Sequence, residues 1–386
     1  MALGTLRLLE PATLAQHTEA VVARLADSTE DMGWYVRSEA LATLLKLEPE
    51  IPAQYADAVA GAVVGMLEDS RGLPDDEWDP YHDSEVRQFA LKTLLKLEPA
   101  TLAQYADAVA DAVVGVLEAS HDFEEDSDSE VRELALKTLG KLEPATLAQH
   151  SNAVVAMLGA SDWEVRCSAL ETLGKLEPAT LAQHADAVLA RLEDEENHVR
   201  SWALVALGKL EPATLAQHAN AVVAKLEDED SDMYVRDSAL GTLGKLEPAA
   251  LAQHADAVVA RLEDDDVDVA WKALVALGKL EPAVLAQHAG AVVGKLNDDH
   301  EYVRKAAWNT LLALPVVITR DIDFESHTPL AHSLRERLQG RIVWYKCRLI
   351  MRARSLALYW YALPYRPSGA GYERDVKAWD QLAGMP

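Results

Sequence analysis

Cysteine is scarce in this chain. Its 386 residues hold two, Cys167 and Cys347, far apart and outside any Cys-x-x-Cys spacing. That excludes a disulfide framework and a thiolate zinc site, and it fits a reducing, intracellular compartment. Glycine and proline are few, at 19 and 16, while alanine and leucine dominate, which favours helix. The opening residues, MALGTLRLLEP, contain no apolar core followed by a cleavage site, so no secretory signal is read there. The most lipophilic stretch, Ile342 to Tyr365, is interrupted by Lys346, Arg348, Arg352 and Arg354. Four cations inside a candidate span are too costly for a simple transmembrane helix. The expectation is a soluble, cytoplasmic protein. Sequence signatures of catalysis are also missing: there is no P-loop, Gly-x-Ser-x-Gly elbow, Rossmann glycine pattern or His-Glu-x-x-His.

What is present is apolar enough to fold. Hydrophobic residues make up 49% and charged residues 26%, so a large core is available and global disorder is excluded. The net charge of −27 is uneven. Residues 316–386 hold 11 Lys/Arg and 7 Asp/Glu, a surplus of +4, leaving −31 on residues 1–315. An acidic body repels nucleic-acid phosphates and favours basic protein partners.

A repeat organises this body. The tripeptide Leu-Glu-Pro recurs with its proline at Pro11, Pro49, Pro99, Pro144, Pro178, Pro212, Pro248 and Pro282, and Pro315 resembles a worn ninth copy. A second marker, Val-Arg, ends at Arg37, Arg87, Arg132, Arg166, Arg200, Arg236 and Arg304, with Ala270 standing at the arginine position of the seventh unit. From the arginine position to the next proline is 12 residues in seven units and 11 in the last. From each proline to the following arginine position the distance ranges from 22 to 38. The segment of fixed length is therefore packed, and the variable one contains a surface loop.

One unit shows the elements. After Pro178, Leu181, Ala185, Val188 and Leu192 share a helical face; after an acidic turn, Val199, Ala203, Leu207 and Leu210 share another. Proline suits the first turn, where its missing N–H costs nothing. Two such helices cannot bury their faces alone, and stacking the neighbouring unit closes the core. The architecture expected is all-α: an α-α superhelix of about eight two-helix repeats over residues 11–315. It is preceded by part of a second helix over 1–10 and followed by a basic, aromatic-rich helical tail over 316–386. Ala2-Leu3-Gly4-Thr5-Leu6 matches Ala239-Leu240-Gly241-Thr242-Leu243 in register, so the array is expected to begin inside a repeat, as a truncated array would.

The rhythm of Asp194, Val199, Arg200, Ala203, Leu204, Leu207, Gly208 and Leu210 resembles the HEAT-repeat family of armadillo-type solenoids. The resemblance covers about 300 residues. It implies an aspartate–arginine ladder between successive repeats, here through Arg37, Arg87, Arg132, Arg166, Arg200, Arg236 and Arg304, with Asp194 and Asp228 among the candidate aspartates beside Arg200 and Arg236. It also implies a concave face lined by second helices. Some relatives of this architecture are enzymes. Di-iron hydroxylases need several His-Glu pairs, and this chain has one, His300-Glu301. Bilin lyases share the rhythm, but no motif here specifies a tetrapyrrole. No cofactor and no metal site are expected.

Two features could carry chemistry or binding. His17, His150, His184, His218, His254 and His288 recur in register, but Tyr55 and Tyr105 replace them in two units; a polar aromatic at the seam between repeats accounts for both. The acidic insertions, residues 68–85 and 121–130, lack the spacing and glycine of a calcium loop. The second helix offers more. Its positions two before, two after and five after the arginine vary freely and share one stripe. Tyr35, Glu39, Glu85, Phe89, Lys92, Glu130, Lys137, Trp202, Tyr234 and Lys272, Tyr302, with Trp271 alongside, are the expected partner-binding residues. Exposed Trp and Tyr amid mixed charge is what protein interfaces use for hot spots. The expected function is a non-catalytic scaffold or adaptor that binds a protein along this face, the alternative being a HEAT-type lyase or hydroxylase. In the tail, Arg335, Arg337, Arg341, Arg348 and Arg352 lie among large apolar residues. That leaves three roles open there: a cap on the last repeat, contact with a partner or an anionic membrane, or docking on the acidic body.

Overall fold

The structure is a computed structural model and describes residues 15–26, 33–46, 53–69, 80–119, 126–228 and 230–314. Among these residues every regular element is helical. The partial helix expected over 1–10, the tail over 316–386 and much of both acidic insertions lie outside them. The chain forms two compact units that divide between Glu247 and Pro248. Repeats one to six belong to the first, and repeats seven and eight to the second.

The second helices of the repeats are α1 (Gly33–Leu44), α2 (Pro80–Lys96), α3 (Asp126–Leu139), α4 (Trp163–Leu173), α5 (Asn197–Leu207) and α6 (Met233–Leu243) in the first unit. In the second unit they are α7 (Val267–Leu277) and α8 (Glu301–Leu312). Leu-Glu-Pro opens each first helix by a division of labour. The leucine is buried, as at Leu142, Leu176, Leu210 and Leu280. The glutamate is the extended N-cap, and proline takes the first turn, as at Pro144, Pro178, Pro212 and Pro282.

The first helices are mostly not single rods. They break at the recurring aromatic, where Tyr105, His150, His184, His254 and His288 sit at φ between −117° and −105° and ψ between 5° and 15°. This bridge region is sparsely occupied, and it bends the chain inside an otherwise helical pattern. Repeat six is the contrast, with one helix over Pro212–Glu227.

The core is where the fixed segment put it. Leu181, Ala185, Val188 and Leu192 are buried, as are Val199, Ala203, Leu207 and Leu210. In the first unit each helix from α2 to α6 packs on the one before it, and in the second α8 packs on α7. Threonines tie some of these pairs. Thr172 Oγ1 donates to the carbonyl of Leu136 (3.1 Å), Thr242 to Leu204 (2.7 Å) and Thr310 to Leu274 (2.9 Å). Gly208 permits one such approach: a Cβ there would lie 3.2 Å from Thr242 Oγ1 and 3.3 Å from the Val205 carbonyl oxygen.

The turn between the two helices is held by its aspartate and by the arginine. Asp194, Asp228, Asp264 and Asp298 each accept, through Oδ1, the backbone N–H two residues on, at 2.9–3.1 Å. This Asx turn uses a side chain to close the loop. Arginine Nη1 then donates to carbonyls of the turn between the two helices of its own repeat. Arg166 reaches Ala160 (2.9 Å) and Ser161 (2.7 Å), and Arg200 reaches Asp194 (2.6 Å) and Glu195 (3.0 Å). Arg236 grips Ser231 and Arg304 grips Asp298 in the same way. In repeat seven Ala270 is buried instead.

One aspartate–arginine contact joins two successive repeats. Arg166 Nε and Nη2 donate to Asp194 Oδ2 (2.9 Å) and Oδ1 (2.7 Å), so the aspartate belongs to the arginine of the preceding repeat. Both side chains are almost fully buried, at 6% and 4% exposure. Arg200 cannot serve Asp194 in this way because its guanidinium folds back on its own turn and on Asn197 Oδ1. Removing one member of a buried pair strands the other, at a cost of roughly 3–5 kcal/mol, whereas replacing both by apolar groups is close to neutral. Arg166→Met and Asp194→Leu are each expected to lower the urea midpoint markedly, and the double variant to recover most of the loss. Additive losses in the double variant would contradict this account of the pair.

Candidate functional site

A protein surface on a repeat array is built from positions the core does not claim. In α1–α8 the core takes the Val, Ala-Leu and Leu positions, as at Val235, Ala239, Leu240 and Leu243. The position two before the arginine is exposed wherever its side chain is described: Glu85, Glu130, Glu164, His198 and Tyr234 in the first unit, Asp268 and Tyr302 in the second. Tyr35 lies in α1, and its side chain is outside the described residues.

The other two positions of the expected stripe divide. Trp202, Val205 and Lys137 are exposed in the first unit, and Trp271 and Val275 in the second. Glu39, Phe89, Lys92 and Lys272 are half-buried, while Leu134, Ser168 and Ala306, two after the arginine, are buried. That position faces the neighbouring second helix, so whether it sees water depends on the local helix separation. The stripe is thus continuous only at its leading edge.

Contacts between repeats run along that edge. Lys92 Nζ lies 2.7 Å from Glu130 Oε1, and Ser201 Oγ lies 2.8 Å from Ser238 Oγ. In the second unit the Tyr302 hydroxyl donates to Asp268 Oδ1 (3.4 Å). Tyr302 is pushed above the ordinary tyrosine pKa by desolvation first and by the carboxylates of Asp268, Asp266 and Asp298. In the first unit the edge is aromatic. The Trp163 and His198 rings have centroids 5.1 Å apart, and His198 stacks on Tyr234 at 6.3 Å. Trp163 lies three residues before its arginine, beside the expected stripe rather than in it.

The recurring histidines occupy the seams of the first helices. In the first unit His184 Nε2 is 3.0 Å from Ser151 Oγ and His150 Nε2 is 3.8 Å from Asp111 Oδ1. In the second, His288 Nδ1 is 3.8 Å from Asp256 Oδ1. Each reaches one repeat back, as a seam residue would. His300, of the single His-Glu pair, is exposed in a turn with Nδ1 3.4 Å from Asp298 Oδ1. Among the described residues no three His, Cys, Asp or Glu side chains converge as a metal site requires.

Asp228 shows how the acidic turns are neutralised locally. Its carboxyl is held below the ordinary aspartate value, chiefly by the Asp230 N–H and further by Lys225. Lys225 Nζ lies 3.5 Å from Asp228 Oδ2 and 2.8 Å from Glu193 Oε2. Cys167, in α4, is buried, and desolvation pushes its thiol up to about 12. A thiol protonated throughout the neutral range is neither nucleophile nor ligand. Disulfide-exchange labelling of the native protein at pH 8, mapped by mass spectrometry, is expected to leave Cys167 unmodified until denaturant is added. Labelling of Cys167 in the native protein would contradict this assignment.

With this geometry in view, the HEAT-repeat family model matches residues 121–208 and, in overlapping register, 151–244. Residues 121–244 are similar to HEAT repeats, and the fold of the described residues is an all-α solenoid. No curated protein matches the sequence. Among solved structures it is similar to an engineered protein at 15% identity and a TM-score of 0.55, over 86% of this chain and 93% of that one. It is also similar to the karyopherin Kap121p bound to RanGTP, at 12% identity and a TM-score of 0.51, over 86% of this chain and 38% of that one. A substituted form of the same karyopherin gives 14% identity and 0.51, over 86% and 36%. The chain therefore spans little more than a third of the karyopherin's length. At such identities the likeness carries the fold alone. No helix of the described residues is long and apolar enough to cross a membrane.

Proposed function

We infer that this chain is a non-catalytic scaffold that binds a protein partner through the exposed face of its second helices. The observation that carries the reading is the placement of large apolar side chains. Trp163, Trp202, Met233 and Tyr234 in the first unit, and Trp271 and Tyr302 in the second, are each more than a third exposed. All six belong to second helices. Large side chains gathered on one kind of element, amid charge, are the anchors from which protein interfaces draw most of their energy. A shared fold with a karyopherin solved in complex with RanGTP supports protein binding as the use of such a surface. The net charge of −27 favours a basic partner and disfavours nucleic acid on the repeats.

The test is capture of interacting proteins from a cytoplasmic extract by the full chain. The variant Trp202→Ala, Trp271→Ala, Tyr302→Ala is expected to lose specific capture by tenfold or more at unchanged helicity. Equal capture by variant and wild type would remove the second-helix face as the binding surface.

A further inference from the structure

The leading edge of the first unit has a composition that narrows its ligand. Trp163, His198 and Tyr234 form a run of rings across three successive repeats, with centroid separations of 5.1 and 6.3 Å. Tyr234 is the most open, at 55% exposure. Carboxylates crowd the same helix starts: Glu164, Glu195, Glu196 and Asp230 are exposed, while Asp162 and Asp232 turn their Oδ1 atoms to the backbone N–H of Glu164 and Val235. Cations that could balance them are otherwise engaged. Arg166 is buried on Asp194 and the Ala160 and Ser161 carbonyls, Arg200 is folded onto its own turn, and Lys137 is paired with Glu133.

The edge therefore presents exposed aromatic side chains bordered by negative charge, with its own cations turned away. Aromatic faces attract cations, and the guanidinium group does this best because it stacks flat while its N–H fork pairs with carboxylates. The crowding of carboxylates has a local signature, since Glu164 is raised above the ordinary glutamate pKa by desolvation, Glu133 and Asp162. An incoming cation would relieve that repulsion. Alternate residues of an extended chain lie about 6.6 Å apart, close to the ring spacing.

We propose that the Trp163–His198–Tyr234 edge is a docking track for an extended polypeptide segment bearing arginines at alternate positions, lying across the starts of α4, α5 and α6. This rests on the reading of the second-helix face as a protein-binding surface and specifies what one part of it takes.

The test uses the full chain and a fluorescein-labelled decapeptide of alternating serine and arginine, with lysine and glutamate versions beside it, read by anisotropy at several salt concentrations. Wild type is expected to bind the arginine peptide several-fold more tightly than the lysine peptide, and the glutamate peptide not at all. Trp163→Leu with Tyr234→Leu keeps apolar cover while removing two π faces, and is expected to weaken arginine-peptide binding by about tenfold. Glu164→Gln with Glu195→Gln and Glu196→Gln is expected to weaken it several-fold and to flatten its salt dependence. Gln287→Ala, at an exposed position on a first helix of the second unit, is expected to leave it unchanged. The proposal is overturned if the leucine variant, with wild-type melting temperature, binds the arginine peptide within twofold of wild type. In that case the affinity belongs to the overall negative charge. Absence of arginine-peptide binding overturns it as well. A chain that ignores the peptide but still captures proteins through Trp202, Trp271 and Tyr302 contradicts this inference and leaves the scaffold reading standing.

Discussion

The arginine of the second helix is the constraint on which the rest depends. Its Nη1 holds carbonyls of the turn between the two helices in repeats four, five, six and eight. At Arg166 the remaining two nitrogens close on Asp194 of the next repeat. One side chain thus sets the angle within a repeat and the register to its neighbour. A buried guanidinium tolerates this because each nitrogen of Arg166 finds an acceptor. The fixed 12-residue distance from the arginine to the next proline belongs to the packed second helix, and the insertions fall in the loop of the other segment.

The clamp also shapes the surface. Because the arginines turn inward to backbone and aspartate, the turns around them keep carboxylates outside, at Glu164, Glu195, Glu196 and Asp230. Positive charge is thereby removed from the helix starts without being removed from the sequence. Aromatic side chains placed just before the arginine then stand at an edge that is apolar and negative together. Stability and the negative charge of this edge arise from the same orientation of one residue type.

Much of this was legible from residues alone. Eight second helices, their core positions and the proline-capped first helices followed from the recurring Leu-Glu-Pro and Val-Arg markers, since periodic burial leaves a periodic sequence. Three features did not follow. The break at His150, His184, His254 and His288 lies within an unbroken helical pattern, and only the backbone angles reveal it. Which aspartate meets which arginine, as Asp194 meets Arg166, depends on which way a long side chain swings, which spacing does not encode. The burial of Leu134, Ser168 and Ala306 within a stripe expected to be open depends on how closely adjacent helices approach.

The central claim is that the second-helix face, and not the seam of first helices, meets the partner. Hydroxyl-radical footprinting of the full chain with a captured partner bound tests it most directly, because Trp and Tyr are reactive reporters on that face and His184 and His288 on the seam. The account predicts protection of Trp163, Trp202 and Tyr234 with His184 and His288 unchanged. Protection of the histidines with those aromatic side chains left fully reactive would contradict it.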